Sequence, residues 1–100
     1  MAYAFNKVDK NQKDVVKALR DYGADVYLLH MVKGGIPDLM VLYEQTTILM
    51  EVKDGIEKKL TPQQITLFAN WKGGHLYRVN SVQEAIEVLK FVEENKDSYE

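Results

Sequence analysis

Gly35-Ile36-Pro37-Asp38 leads into Leu39-Met40-Val41-Leu42-Tyr43, then Glu44-Gln45-Thr46-Thr47, then Ile48-Leu49-Met50, and the run closes on Glu51-Val52-Lys53. Two strand-length apolar segments around a short polar break predict a β-hairpin. A turn of two or four residues centred between Glu44 and Gln45 sets Asp38 across from Glu51. Shifting that centre by one residue sets Asp38 across from Lys53 instead. Side chains alternate faces along a strand, so in either register Asp38, Glu51 and Lys53 share one face at the open end of the hairpin.

Two adjacent carboxylates repel, and keeping both ionised calls for a cation between them. Lys53 supplies part of that charge and a hard divalent metal the rest. Magnesium, with manganese as its substitute, takes oxygen ligands: one or two carboxylates, with water and phosphate completing the set. Such a centre polarises a phosphodiester and acidifies a bound water, while Lys53 orients the water or steadies developing negative charge. The competing reading is a surface hairpin end, with Pro37 opening a strand and Glu51-x-Lys53 an ordinary charge pair.

Downstream, Leu60-Thr61-Pro62-Gln63-Gln64 opens a helix, with Thr61 as cap and Pro62 at the first position. Taken with Gly34-Gly35 before Pro37 and the hairpin register, these residues resemble the PD-(D/E)XK nuclease superfamily and, within it, the small VRR-NUC nucleases. The resemblance spans nearly the whole chain. It implies an α/β, restriction-endonuclease-like core, a central mixed sheet flanked by helices. It also implies a metal-dependent DNA endonuclease in which Asp38, Glu51 and the backbone carbonyl of Val52 hold Mg2+ or Mn2+. Lys53 assists the water, and Gln64 positions it or the DNA backbone. The acid that the superfamily's first helix often contributes, usually Glu, falls here at Asp14, linked to the metal directly or through another group. Stand-alone relatives, many of them phage proteins, look like Holliday junction resolvases, which act as homodimers. The expected partner is therefore branched DNA, such as a junction or flap, cut by a homodimer. A non-catalytic nucleic-acid-binding or assembly module that keeps the fold is the rival from another class. A sequence-specific restriction-type enzyme would call for an added recognition segment, and none is visible.

Length and composition agree with one domain over residues 1–100, with 46% hydrophobic and 28% charged residues. There are no cysteines, which rules out disulfides and thiolate zinc sites and suits a reducing cytoplasm, a host's if the protein is viral. No apolar run is long enough for a membrane span. The net charge of −2 hides an asymmetry: residues 1–35 carry a net of +2 and residues 84–100 a net of −4. That distribution predicts salt-sensitive, modest DNA affinity for a single copy.

In chain order the pattern predicts helix, three strands, helix, strand, helix. The first helix runs from about Lys10 to Tyr22, capped by Asp9 and stopped at Gly23. Val15, Val16, Ala18, Leu19 and Tyr22 form its apolar face; Lys10, Lys13, Lys17 and Arg20 form a basic stripe opposite, either a solvated face or a phosphate-contacting one. The first strand is Val26 to Leu29, continuing through His30-Met31-Val32. Lys33, Gly34 and Gly35 then make a turn whose glycines let the backbone come close to a ligand or take an unusual φ; all three are DNA-contact candidates, Lys33 for a phosphate just before the site strand. Lys58 and Lys59, in the charged loop after Lys53, are further DNA-contact candidates. The second helix runs to about Lys72, stops at Gly73-Gly74, and sends Ile65, Phe68, Ala69 and Trp71 toward the core. A strand over 75–79 alternates as one exposed on a single face. Ser81-x-x-Glu84 is a capping box for the last helix. That helix buries Val82, Ala85, Ile86, Leu89 and Val92 and leaves Phe91 aside for a second packing surface or a dimer contact.

Overall fold

The computed structural model describes residues 9–29, 32 and 35–95. His30, Met31, Lys33 and Gly34, and the aromatic residues Tyr3 and Phe5, lie outside the described residues. The elements follow the expected order: α1 (Gln12–Tyr22), β1 (Asp25–Leu28), β2 (Leu39–Tyr43), β3 (Thr46–Val52), α2 (Pro62–Ala69), β4 (His75–Val79) and α3 (Val82–Asn95).

The four strands form one mixed sheet in the order β1-β2-β3-β4. β1, β2 and β3 run antiparallel to their neighbours, whereas β4 lies parallel to β3. A parallel pair needs a crossover, and α2 sits within it. Leu39, Val41, Ile48, Met50 and Val52 project to one face and are completely buried there. Val15 and Leu19 of α1 and Ala85, Leu89 and Val92 of α3 cover that face and join the same core. Phe91 stands off the buried stripe at 48% exposure, as its position on the wheel requires.

Several local expectations are corrected. Asp9 does not cap α1: Asn11 is the N-cap, and no side-chain bond closes that end. The Asn11 amide instead donates to the carbonyls of Lys53 (3.0 Å) and Asn80 (3.3 Å), tying the start of α1 to the ends of β3 and β4. β1 ends at Leu28, opposite the first residue of β2, Leu39, with one further bond from Leu29 N–H to the Asp38 carbonyl at 2.7 Å; Val32 is exposed and outside the sheet. Finally, α2 stops at Ala69, where Asn70 turns its backbone N–H and side chain to the carbonyl of Thr66. That helix buries none of its residues; Ile65 is 55% exposed, Ala69 is exposed, and Phe68 and Trp71 are only half-buried. The apolar face of the sheet is already filled by α1 and α3, so no core remains for α2 to enter. β4 also departs from simple alternation, since His75 through Arg78 are all half-buried before the fully buried Val79.

The last helix begins on a displaced capping box. Ser81 Oγ accepts from Glu84 N (3.1 Å) as expected, but the Glu84 carboxylate reaches back to Asn80, accepting from its backbone N–H at 2.8 Å and its side-chain amide at 3.0 Å.

Candidate active site

The turn between β2 and β3 is Glu44-Gln45, with φ of 50° and 60°. Positive φ at both central residues is the two-residue hairpin geometry whose twist matches the flanking strands. Leu39 therefore pairs with Met50, and one step further Asp38 stands across from Glu51. β4 adds Arg78 beside Glu51. Asp38, Glu51 and Arg78 thus line up across three strands on the face turned away from the core.

Glu51 is only 2% exposed and Lys53 only 9%. Charged residues are seldom buried so deeply unless paired, and here each has specific partners. The backbone N–H of Val52 donates to Asp38 Oδ2 at 2.8 Å. The Gln64 side-chain amide donates to Glu51 Oε2 at 2.8 Å. Lys53 Nζ lies 3.7 Å from that same oxygen. The other oxygen, Glu51 Oε1, is buried without a hydrogen-bond partner.

Gln64 reaches Glu51 because α2 starts with a complete capping box. Gln64 N donates to Thr61 Oγ1 (3.2 Å), and Gln64 Oε1 accepts from Thr61 N (2.9 Å), leaving the amide NH2 for Glu51. Gly35 brings that helix start into place. Its φ is +78°, and a Cβ built on it would lie 2.9 Å from Gln63 Cβ and 3.1 Å from the Gln63 carbonyl carbon. The close approach expected at this glycine is therefore to the chain's own second helix.

Burial raises the Glu51 carboxyl most, and the Asp38 charge adds to it; Lys53 opposes both, and the result is pushed up to about 8. Asp38 is also raised, chiefly by burial, against the Val52 N–H, the Glu51 carboxyl and Lys53, all of which favour its ionised form. Both shifts favour a proton on the pair when no cation is near, with Glu51 the more strongly raised of the two; a divalent cation would displace that proton. The unpartnered Glu51 Oε1 and the oxygen-only donor set fit a hard metal such as magnesium. Among the described residues no three acids, histidines or cysteines gather into a metal-holding group, so the chain's ligands to such an ion would be the Asp38–Glu51 pair and any backbone carbonyl beside it.

Asp14 is exposed on the first turn of α1 and makes no hydrogen bond or ion pair among the described residues. The acid near the start of α1 whose charge acts on both Asp38 and Glu51 is Asp9. Lys10, Lys13 and Lys17 are exposed. Lys17, however, is held by Asp21 at 2.7 Å, and Arg20 donates to the Val26 carbonyl at 2.8 Å. Lys58 and Lys59 are exposed on the loop after the site. Asn11, Asn80 and Arg78 brace the strand ends around the site, yet no spacing in the sequence marks them. Asn11 and Arg78 donate to backbone carbonyls far away in the chain, and Asn80 holds the Arg78 Nε and the Glu84 carboxylate.

No protein-family model and no curated protein matches the sequence. A solved structure described as a VRR_NUC domain does match in three dimensions, with a TM-score of 0.66 over 79% of this chain and 89% of its own, at 23% identity. What that likeness shares with this chain is the arrangement of the mixed sheet and its helices, the frame in which Asp38, Glu51 and Lys53 meet. The chain has the fold of the VRR-NUC domain, a restriction-endonuclease-like α/β architecture.

Proposed function

We propose that the protein is a metal-dependent DNA endonuclease that hydrolyses phosphodiester bonds, selective for branched DNA such as four-way junctions or flaps. The observation that carries this reading is the Asp38–Glu51 pair, half-buried and buried respectively, with buried Lys53 beside it, inside a fold shared with a VRR_NUC domain. Asp38, Glu51 and the Val52 carbonyl would hold Mg2+ or Mn2+. When bound, the ion would polarise the scissile phosphate and lower the pKa of a water. The chain's own groups do the rest. Val52 N–H fixes Asp38 through Oδ2, and Gln64 fixes Glu51 through Oε2, leaving Oε1 unengaged. Lys53, held at the same carboxylate, provides positive charge for the attacking water and for the phosphate as negative charge builds on it.

The substrate reading follows the basic stripe. Asn11 fastens the N-terminal end of α1 beside Lys53, so Lys10 and Lys13 lie nearest the site and the rest of the stripe leads away from it. A DNA arm leaving the site along α1 would meet those lysines. Two copies would double this surface and place two sites on one junction, hence a homodimer, working in the cytoplasm (a host's, for a phage protein). Among the described residues no helix is long and apolar enough to cross a membrane.

The test is cleavage of supercoiled, linear, flap and four-way DNA with Mg2+ or Mn2+, run beside Asp38→Asn and Glu51→Gln. Cleavage of branched substrates that either substitution abolishes is the expected result, together with a dimer on sedimentation with DNA. Binding of DNA without cleavage, and no manganese uptake by calorimetry, would favour a non-catalytic module instead.

A further inference from the structure

Residues 54–60 connect the site to α2, and one side chain organises them. Arg78 projects from β4 on the Glu51 face. Its guanidinium donates to the carbonyls of Gly55 (3.3 Å), Ile56 (3.2 Å) and Lys58, while its Nε is fixed by Asn80 Oδ1 at 2.7 Å. A turn bond from Lys58 N to the Gly55 carbonyl (3.2 Å) closes the tip, and Gly55 takes a φ of +111°. Arginine's planar, forked donors suit several carbonyls at once. The loop is thus built to hold one shape, and none of these bonds serves the carboxylate pair.

What the clamped loop displays is Ile56, which at 81% is more exposed than the other large apolar side chains exposed among the described residues. Single exposed apolar residues are ordinary on mobile loops. This one stands on a rigid tip, followed by exposed Glu57 and then by exposed Lys58 and Lys59. The loop is anchored one strand spacing, about 4.8 Å, from the strand carrying Glu51. An apolar wedge flanked by phosphate-binding lysines is how proteins part stacked bases, and a wedge must be rigid to do so. Unstacking is easiest where pairing is already interrupted.

We infer that the Arg78-clamped loop is a substrate-discriminating element, with Ile56 seated against the unstacked base step at a branch point of DNA while Lys58 and Lys59 hold the flanking phosphates. The inference rests on the nuclease reading and adds the residue that selects branched over continuous duplex. Arg78 is a positioning residue, acting through the loop.

The experiment uses the full chain with a four-way junction and a linear duplex of matching sequence, each carrying 2-aminopurine, in Ca2+. With the unaltered protein, fluorescence should rise on the junction as the base unstacks. Ile56→Ala should lower the junction-to-duplex binding ratio on the order of tenfold and remove the fluorescence rise, and Ile56→Leu should restore both. Arg78→Lys, with Ile56 intact, should lose the fluorescence rise because lysine has no Nε for Asn80 to fix and its ammonium falls short of the place where Nη2 meets the three carbonyls. Melting curves would confirm folding of each variant. An Ile56→Ala protein that keeps both the ratio and the fluorescence rise overturns the wedge and leaves the nuclease reading standing. If the unaltered protein neither binds nor cuts any of the DNAs, the nuclease reading falls and the wedge falls with it.

Discussion

The Gln64 amide donates to Glu51 Oε2 at 2.8 Å while the rest of the same side chain completes the capping box of α2. One residue thus joins the start of a helix to a buried carboxylate on the sheet. Gln64→Ala should lose both functions. Thr61 Oγ1 still caps the backbone N–H of residue 64, and loss of the reciprocal Thr61 N–Gln64 Oε1 bond costs about 1 kcal/mol, seen as a melting temperature lower by ~4–8 °C for a domain of this size. Cleavage of branched DNA should drop about tenfold, since Glu51 keeps its place but loses an orienting bond. Gln64→Glu retains the acceptor for Thr61 N and removes the donor to Glu51. It should recover most of the cap and none of the activity. Melting curves and single-turnover rates on the two variants separate the roles.

Glu51 makes the metal-free protein's stability depend on pH in an unusual direction. Its carboxyl titrates at about 8 folded against 4.5 when exposed, so between those values the folded chain binds the extra proton. Stability then falls as pH rises through that window. Asp38, also raised, has the same sign. In EDTA the melting temperature should therefore climb as pH is lowered from 8 toward 5.5, opposite to a protein held by ordinary salt-bridged carboxylates. Glu51→Gln should flatten most of that slope and be more stable than the parent at pH 8. A parent that melts at the same temperature across the window would show that the pair is not sharing a proton.

The hairpin was legible because strand lengths and the Glu44-Gln45 break permit few registers, and each of them keeps Asp38, Glu51 and Lys53 on one face. The strained part of that turn was not, since positive φ at Glu44 and Gln45 lacks the usual asparagine or glycine signal. The misplacement of α2 has a similar cause. Ile65, Phe68 and Ala69 read as a core face, but periodicity reports that residues are apolar and not that a cavity awaits them. Here α1 and α3 had already closed the sheet. Asn11, Arg78 and Asn80 were invisible for another reason. Asn11 and Arg78 bind backbone carbonyls that only the fold brings near, and Asn80 acts by fixing Arg78, so no residue type at any fixed spacing announces them.

Lys53 should separate chemistry from metal binding. Buried beside Glu51 Oε2, it lowers the acid's proton affinity, and in the proposed reaction its positive charge would help a phosphate accept a nucleophile. Lys53→Met keeps the aliphatic stem and deletes the charge. Cleavage should fall about 100-fold or more, while manganese still binds by calorimetry, because both carboxylates remain and a competing cation is gone. Glu51→Gln should lose both. Equal cleavage by Lys53→Met and the parent would remove Lys53 from the mechanism.

Gly35 offers a way to disturb the site from outside it. A methyl group at this position would press on Gln63 at 2.9 Å, against backbone atoms at 3.1 and 3.2 Å, and the φ of +78° is itself unfavourable for any residue with a Cβ. Gly35→Ala should cost about 1–2 kcal/mol and push the start of α2 away from the sheet. Gln64 then leaves Glu51, although neither residue has been altered. The expected signature is a reduced rate with Asp38, Glu51 and Lys53 all present, and little further loss when Gln64→Ala is added. The double-mutant cycle reads this directly: neighbours acting through one contact are non-additive, whereas additive losses would mean that Gly35 governs something other than the approach of α2.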